Sequence, residues 1–150
     1  MSRKHVEASA VARAAPEAVW ALVADATSYP AWGRWEGAGY ARGGDAASHG
    51  VGAVRWLRHG RRTITEEILE LDDERRLAYT VVSGMPVRNY RGEVTLTPVA
   101  DGTLIDWSAT WDGTLAGRIV RRKLRTFFPD VVARLAAAAA EQTGQSPTPA

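Results

Sequence analysis

The chain has 150 residues, 45% hydrophobic and 24% charged, a balance that suits a folded protein and excludes a disordered one. Its formal net charge of +2 is too small an excess to indicate a nucleic-acid partner. The absence of cysteine rules out disulfides, thiolate zinc sites and cysteine nucleophiles, and His5, His49 and His59 lack ligand spacing, so no metal and no cofactor is expected.

The length fits a single domain over residues 1–150, with a core from about 5 to 140 and a flexible polar tail over 143–150. The N-terminal stretch lacks an apolar run of signal-peptide length, and no segment is long enough for a membrane span, so a cytoplasmic protein is expected.

Residues His5–Arg13 alternate, with Val6, Ala8, Ala10 and Ala12 on one face, as in a strand wet on one side. Pro16 then suits the first turn of a helix, where its missing N–H costs nothing. Val19, Trp20, Leu22 and Val23 give that helix an apolar face ending near Asp25. Tyr29-Pro30-Ala31-Trp32 reads as a turn or a short second helix.

From Trp35 to Trp111 the chain reads as strands and turns. Gly43-Gly44-Asp45 breaks one strand, and Ala53–His59 with Thr63–Leu71 flank a Gly60-Arg61-Arg62 loop in a predicted hairpin. Leu77–Ser83 is apolar on both sides, as a central strand would be. Asn89–Val99 sets Tyr90, Gly92, Val94 and Leu96 on one face, and Thr103–Trp111 does the same with Ile105, Trp107, Ala109 and Trp111. After Gly113 the period becomes helical, with Leu124, Phe128, Val131 and Leu135 among one broad apolar stripe. Pro129 falls inside this helix and is expected to kink it.

One strand, one or two short helices, six strands and one long helix define an α+β chain. The long helix has nothing helical of comparable length to cover its apolar stripe, so it must bury that stripe against the sheet. A strongly curved antiparallel sheet around one helix tends to leave an interior space.

The stretches APEAVWALVADATSYPAW, GAVRWLRHGRRTITEEILELDDERRLAYTVVSGMPVRNYRGEVTLTP and DGTLIDWSATW carry a likeness over about residues 5–140. The sequence resembles the START-like or SRPBCC superfamily, in its polyketide cyclase/dehydrase and lipid transport branch. The resemblance implies a helix-grip fold, about seven strands wrapped around the C-terminal helix, with a ligand cavity between them. The plant abscisic-acid receptors and the onion lachrymatory-factor synthase have a run similar to Gly52, Val54, Arg55, Glu67, Asn89 and Tyr90 here. The receptors' His-Arg-Leu latch is replaced by Met85-Pro86-Val87, which argues against hormone sensing.

Strand parity puts Thr63, Thr65, Glu67, Leu69 and Leu71 on one inward face. A three-residue loop at Gly60-Arg61-Arg62 would set Arg55 opposite Glu67, with Glu66 the less favoured alternative. Such a pair could be functional or could merely organise the sheet. Tyr90 shares the apolar face, and its hydroxyl needs a partner if buried. Trp107, Trp111, Leu124 and Phe128 complete the predicted ligand-binding set with Arg55, Glu67 and Tyr90.

The favoured reading is binding or transport of a small hydrophobic ligand, such as a lipid, polyketide or quinone-like molecule. The alternative is a polyketide cyclase, aromatase or dehydratase, with Glu67 as acid or base, Arg55 stabilising an oxyanion and Tyr90 donating a proton. A third is a protein-interaction module like the superfamily's co-chaperones. The Arg118–Arg125 run is ordinarily a solvated helix face; an acidic headgroup or an acyl-carrier protein is its candidate partner, and the assembly is left between monomer and homodimer.

Overall fold

The computed structural model describes residues 3–45 and 47–144, with side chains as far as 142. The elements run β1 (Arg3–Ala12), α1 (Pro16–Val23), a 3-10 turn (Ala26–Ser28), α2 (Tyr29–Trp32), β2 (Gly37–Arg42), β3 (Val54–His59), β4 (Arg62–Asp72), β5 (Arg76–Ser83), β6 (Arg91–Val99), β7 (Gly102–Asp112) and α3 (Leu115–Gly144). Pro16 occupies the start of α1, and Asp25 caps the 3-10 turn by accepting from the Thr27 amide at 3.0 Å.

The strands form one antiparallel sheet in the order β1-β7-β6-β5-β4-β3-β2. Strands β2 to β7 are therefore a meander of consecutive hairpins, and β1 closes the far side by pairing with β7, Arg3 opposite Asp112 and Ala12 opposite Thr103. Two irregularities bend the middle of the sheet. On β4, Ile68 pairs with Tyr79 and Glu70 with Ala78, leaving Leu69 as an extra residue. On β5, Ser83 pairs with Thr65 and Val81 with Glu66, leaving Val82 unpaired and 56% exposed. Such bulges increase local twist and bend the strand.

Helix α3 buries Val120, Leu124, Phe128, Val131, Leu135 and Ala139, the spacing of one helical face, and Phe128 comes 6.2 Å from the Trp107 ring on β7. This is the helix-grip arrangement, a curved seven-stranded sheet closed by a long C-terminal helix. The helix continues through Pro129, whose ring leaves the carbonyl of Arg125 without its usual helical donor. It also reaches Gly144, so the polar segment expected to be tail from residue 143 begins as helix, and residues 145–150 lie outside the described residues.

The β3–β4 hairpin departs from the predicted register. His59 pairs with Arg62, so the loop is the two residues Gly60-Arg61, with Gly60 at φ +63. Positive φ at the first central position is the demand of a type II′ turn, which glycine meets without steric cost. A loop one residue shorter moves every facing pair by one and reverses which side chains point inward.

Candidate functional site

The hairpin register puts Arg55 opposite Glu66, and both are buried. Arg55 Nε donates to Glu66 Oε1 at 2.9 Å, and Nη2 stands 2.8 Å from the same oxygen. Nη2 lacks the alignment for a hydrogen bond to any group among the described residues. Arg55 Nη1 donates to the Tyr29 hydroxyl at 2.9 Å, and that hydroxyl donates onward to the Val23 carbonyl at 2.7 Å. The guanidinium carbon also lies 5.1 Å from the Tyr29 ring centroid and 5.0 Å from that of Tyr79, within cation–π range of both faces.

A second cluster adjoins the first. Trp107 Nε1 donates to the Tyr79 hydroxyl at 2.9 Å, and the Tyr90 hydroxyl is a further hydrogen-bond partner of Tyr79. Tyr90 stacks on Trp111 with ring centroids 5.8 Å apart. Gly92 on β6 pairs with Tyr79, and a Cβ there would overlap the tyrosine ring. The absence of a side chain at 92 is what lets Tyr79 lie flat across β6.

Burial dominates the electrostatics. It pushes the Glu66 carboxyl above the usual carboxylate range, while Arg55 offsets part of the rise through charge and hydrogen bonding. Burial works against the charge on Arg55, but Tyr29, Glu66 and Tyr79 outweigh it and hold its pKa above the ordinary arginine value. Burial likewise raises the Tyr29 phenol to about 12, and lifts Tyr79 and Tyr90. The Tyr29 hydroxyl donates to the Val23 carbonyl, and that of Tyr79 accepts from Trp107.

These residues form the polar part of a cavity of about 760 Å³ between the sheet and α3. Leu57, Ile64, Trp107, Leu124, Phe128 and Val131 supply apolar walls, and Trp35 and Phe127 pack edge to face at one side. Arg34, His59, Arg62, Met85, Pro86 and Lys123 also line it. Arg62 donates to the Gly84 carbonyl at 3.3 Å, which ties the β3–β4 hairpin to the β5–β6 loop at the same cavity.

The predicted set is partly assembled there. Arg55, Tyr90, Trp107, Leu124 and Phe128 all line the cavity. Glu67 does not: it sits on the opposite face of β4, with its side chain 38% exposed and 3.9 Å from Arg42. Two causes produced the error, the shorter turn and the Leu69 bulge, which breaks any parity counted back from Leu71. Trp111 is also outside the lining; it is fully buried behind Tyr90, and its indole N–H is taken up by the Gly117 carbonyl at 3.0 Å. Asn89 instead donates to Asp112 on the surface at 2.8 Å.

Tyr29 and Tyr79 are the site residues that sequence reasoning passed over. Tyr29 lies in a segment that reads as a turn or a short second helix, and neither gives its ring a direction. Tyr79 lay in a strand apolar on both sides, where parity gives no signal; the one clue was a tyrosine in a central strand, which needs a partner for its hydroxyl.

Solved structures share this architecture. The protein XoxI from Bacillus cereus is 20% identical, with a TM-score of 0.73 over 93% of this chain and 97% of that one. A protein from Thermobifida fusca is 26% identical, with a TM-score of 0.71 over 94% and 93%. Norcoclaurine synthase from Thalictrum flavum, solved with dopamine and hydroxybenzaldehyde, is 15% identical, with a TM-score of 0.71 over 99% and 90%. No match was found among curated proteins. Residues 3–140, which include every strand and the cavity-lining part of α3, match the family described as polyketide cyclase/dehydrase and lipid transport, and the chain belongs to that family.

Proposed function

We propose that the protein binds a small, mainly apolar molecule in the cavity between the sheet and α3. Arg55, Glu66 and Tyr90 hold one polar group of that ligand. The observation that carries this reading is the Arg55–Glu66 pair, buried beside an apolar cavity whose volume lies in the range of small-molecule sites. A buried ion pair contributes little net stability compared with apolar residues of the same size, so stability alone is a poor reason to keep it. Arg55 Nη2 retains a donor without an aligned acceptor, and Glu66 Oε2 is free of any hydrogen bond among the described residues. A ligand carbonyl, hydroxyl or carboxyl group would complete both.

Native mass spectrometry of the purified protein should show a co-purifying small molecule, or the empty protein should bind the uncharged apolar dye Nile red. Leu124→Trp, which fills the cavity from α3, should lower dye affinity by at least about tenfold. Dye binding that ignores Leu124→Trp would place the binding elsewhere.

Acid–base catalysis is the second reading, favoured by the raised pKa of Glu66 and its unbonded second oxygen. In that case Glu66 exchanges the proton and Arg55 steadies a developing oxyanion. Once a ligand is known, loss of turnover in Glu66→Gln with affinity retained would favour this reading over simple binding.

A further inference from the structure

Between Asp112 and Asp130 the sequence contains five cations and no acid. Ion pairs elsewhere engage Arg34, Arg55, Arg91 and Arg134, yet among the described residues the side chains of Arg118, Arg122, Lys123 and Arg125 have no acidic partner. Arg118 and Arg122 are four residues apart on the exposed face of α3, a like-charge spacing that works against the helix. They also lie in its N-terminal half, and no acidic residue sits in its first turn to offset the positive end of the helix dipole. Nothing in the folding of α3 calls for this cluster.

Two aliphatic side chains stand in the middle of it. Leu115 is 79% exposed and Ile119, one turn later, is 61% exposed. At 100° per residue, Arg118, Arg122 and Arg125 flank this ridge on one side and Lys123 on the other. Ile119 and Lys123 also line the cavity, so the ridge stands at its lip.

We propose that the N-terminal half of α3 docks the protein on an anionic membrane surface, with Leu115 and Ile119 entering the headgroup layer and the arginines on the phosphates. The pattern is that of an interfacial helix, an apolar ridge bordered by cations. The ridge protrudes, which suits a soft, deformable surface better than a folded partner that would need a matching pocket. No helix among the described residues is long and apolar enough to cross a membrane. Docking there brings the cavity lip to the bilayer, and an apolar ligand could pass between the two without crossing water.

The test is sedimentation of the full chain with vesicles of phosphatidylcholine alone or with roughly a third phosphatidylglycerol. Binding is expected only with the anionic vesicles, and should weaken by at least about tenfold between about 50 and 500 mM salt. Leu115→Glu and the double variant Arg118→Glu/Arg122→Glu should each reduce partitioning by at least about tenfold. None of these residues lines the cavity, so the variants should stay folded by circular dichroism and bind the uncharged dye as the parent does. Because the chain has no cysteine, Leu115→Cys gives a unique site for an environment-sensitive fluorophore, whose emission should shift to the blue on anionic vesicles. Failure to sediment, or sedimentation indifferent to these variants, would overturn the proposal. So would capture of the same face by an acidic acyl-carrier protein while vesicles are ignored.

Discussion

Arg55 and Glu66 face each other across the β3–β4 hairpin at 2.9 Å, one residue out of step with the pairing that strand alternation suggests. The offset makes two adjacent glutamates chemically distinct. Glu66 is buried against a guanidinium, whereas Glu67 stands half in water beside Arg42. Glu66→Gln should cost about 3 kcal/mol of folding stability, because it strands a buried charge. Glu67→Gln should change stability by no more than about 0.5 kcal/mol, as for an exposed pair. Urea unfolding of the two variants measures both; equal losses would contradict the observed register.

Replacing the pair as a whole separates stability from function. Arg55→Met with Glu66→Leu removes both charges and keeps similar volume. Unfolding stability should then be within about 1 kcal/mol of the parent, or above it. Affinity for the natural ligand should fall by at least about tenfold, or about 1.4 kcal/mol. A variant that is stable and still binds would show the pair to be dispensable for the ligand.

All four tyrosines resist ionisation. Burial raises the phenols of Tyr29, Tyr79 and Tyr90, and that of the half-buried Tyr40, above the ordinary value of 10.0. The folded chain then holds more protons than the unfolded chain above pH 10. The stabilisation is therefore complete below that value and is lost as pH rises through the folded pKa values, about 12 for Tyr29. Absorbance at the tyrosinate band should lag behind that of the urea-unfolded chain and then rise together with loss of circular dichroism. Tyrosinate appearing near pH 10 in the folded protein would mean an open site.

Gly92 should accept a side chain only at a cost in stability. In Gly92→Ala the new methyl would meet the Tyr79 ring, and relief requires moving the ring off Trp107. A loss of about 1–3 kcal/mol is expected from overpacking. A changed Trp107 emission should accompany it, because its indole N–H loses the Tyr79 hydroxyl.

The architecture was legible because burial is periodic in most elements. Tyr90, just before β6, and Gly92, Val94 and Leu96 on it alternate without a bulge, and all four are inside. The helical stripe from Val120 to Ala139 is equally regular. The candidate site was harder because it depends on two breaks of rule, a two-residue turn and an inserted Leu69, each moving parity by one. Tyr29 is 26 residues from Arg55 and reaches it through a short helix, a contact that no local pattern announces. The family resemblance pointed to Arg55 and Tyr90, which line the cavity, and favoured Glu67 over Glu66, whereas Glu66 is the one that lines it.

The place of β1 in the sheet has a consequence for synthesis. Each strand from β2 to β7 finds its neighbour within one hairpin, whereas Arg3 must wait for Asp112, 109 residues later. At ordinary elongation rates that delay is roughly 5–20 seconds. During it the first strand has no partner, and the long helix has not yet been made. Pulsed hydrogen exchange during refolding should accordingly find the central hairpin amides protected before those between β1 and β7, since distant pairing is slow. The cavity is walled by α3, the last element to be made, so until α3 is in place the apolar side chains of the sheet that line it stay open to water or to a chaperone.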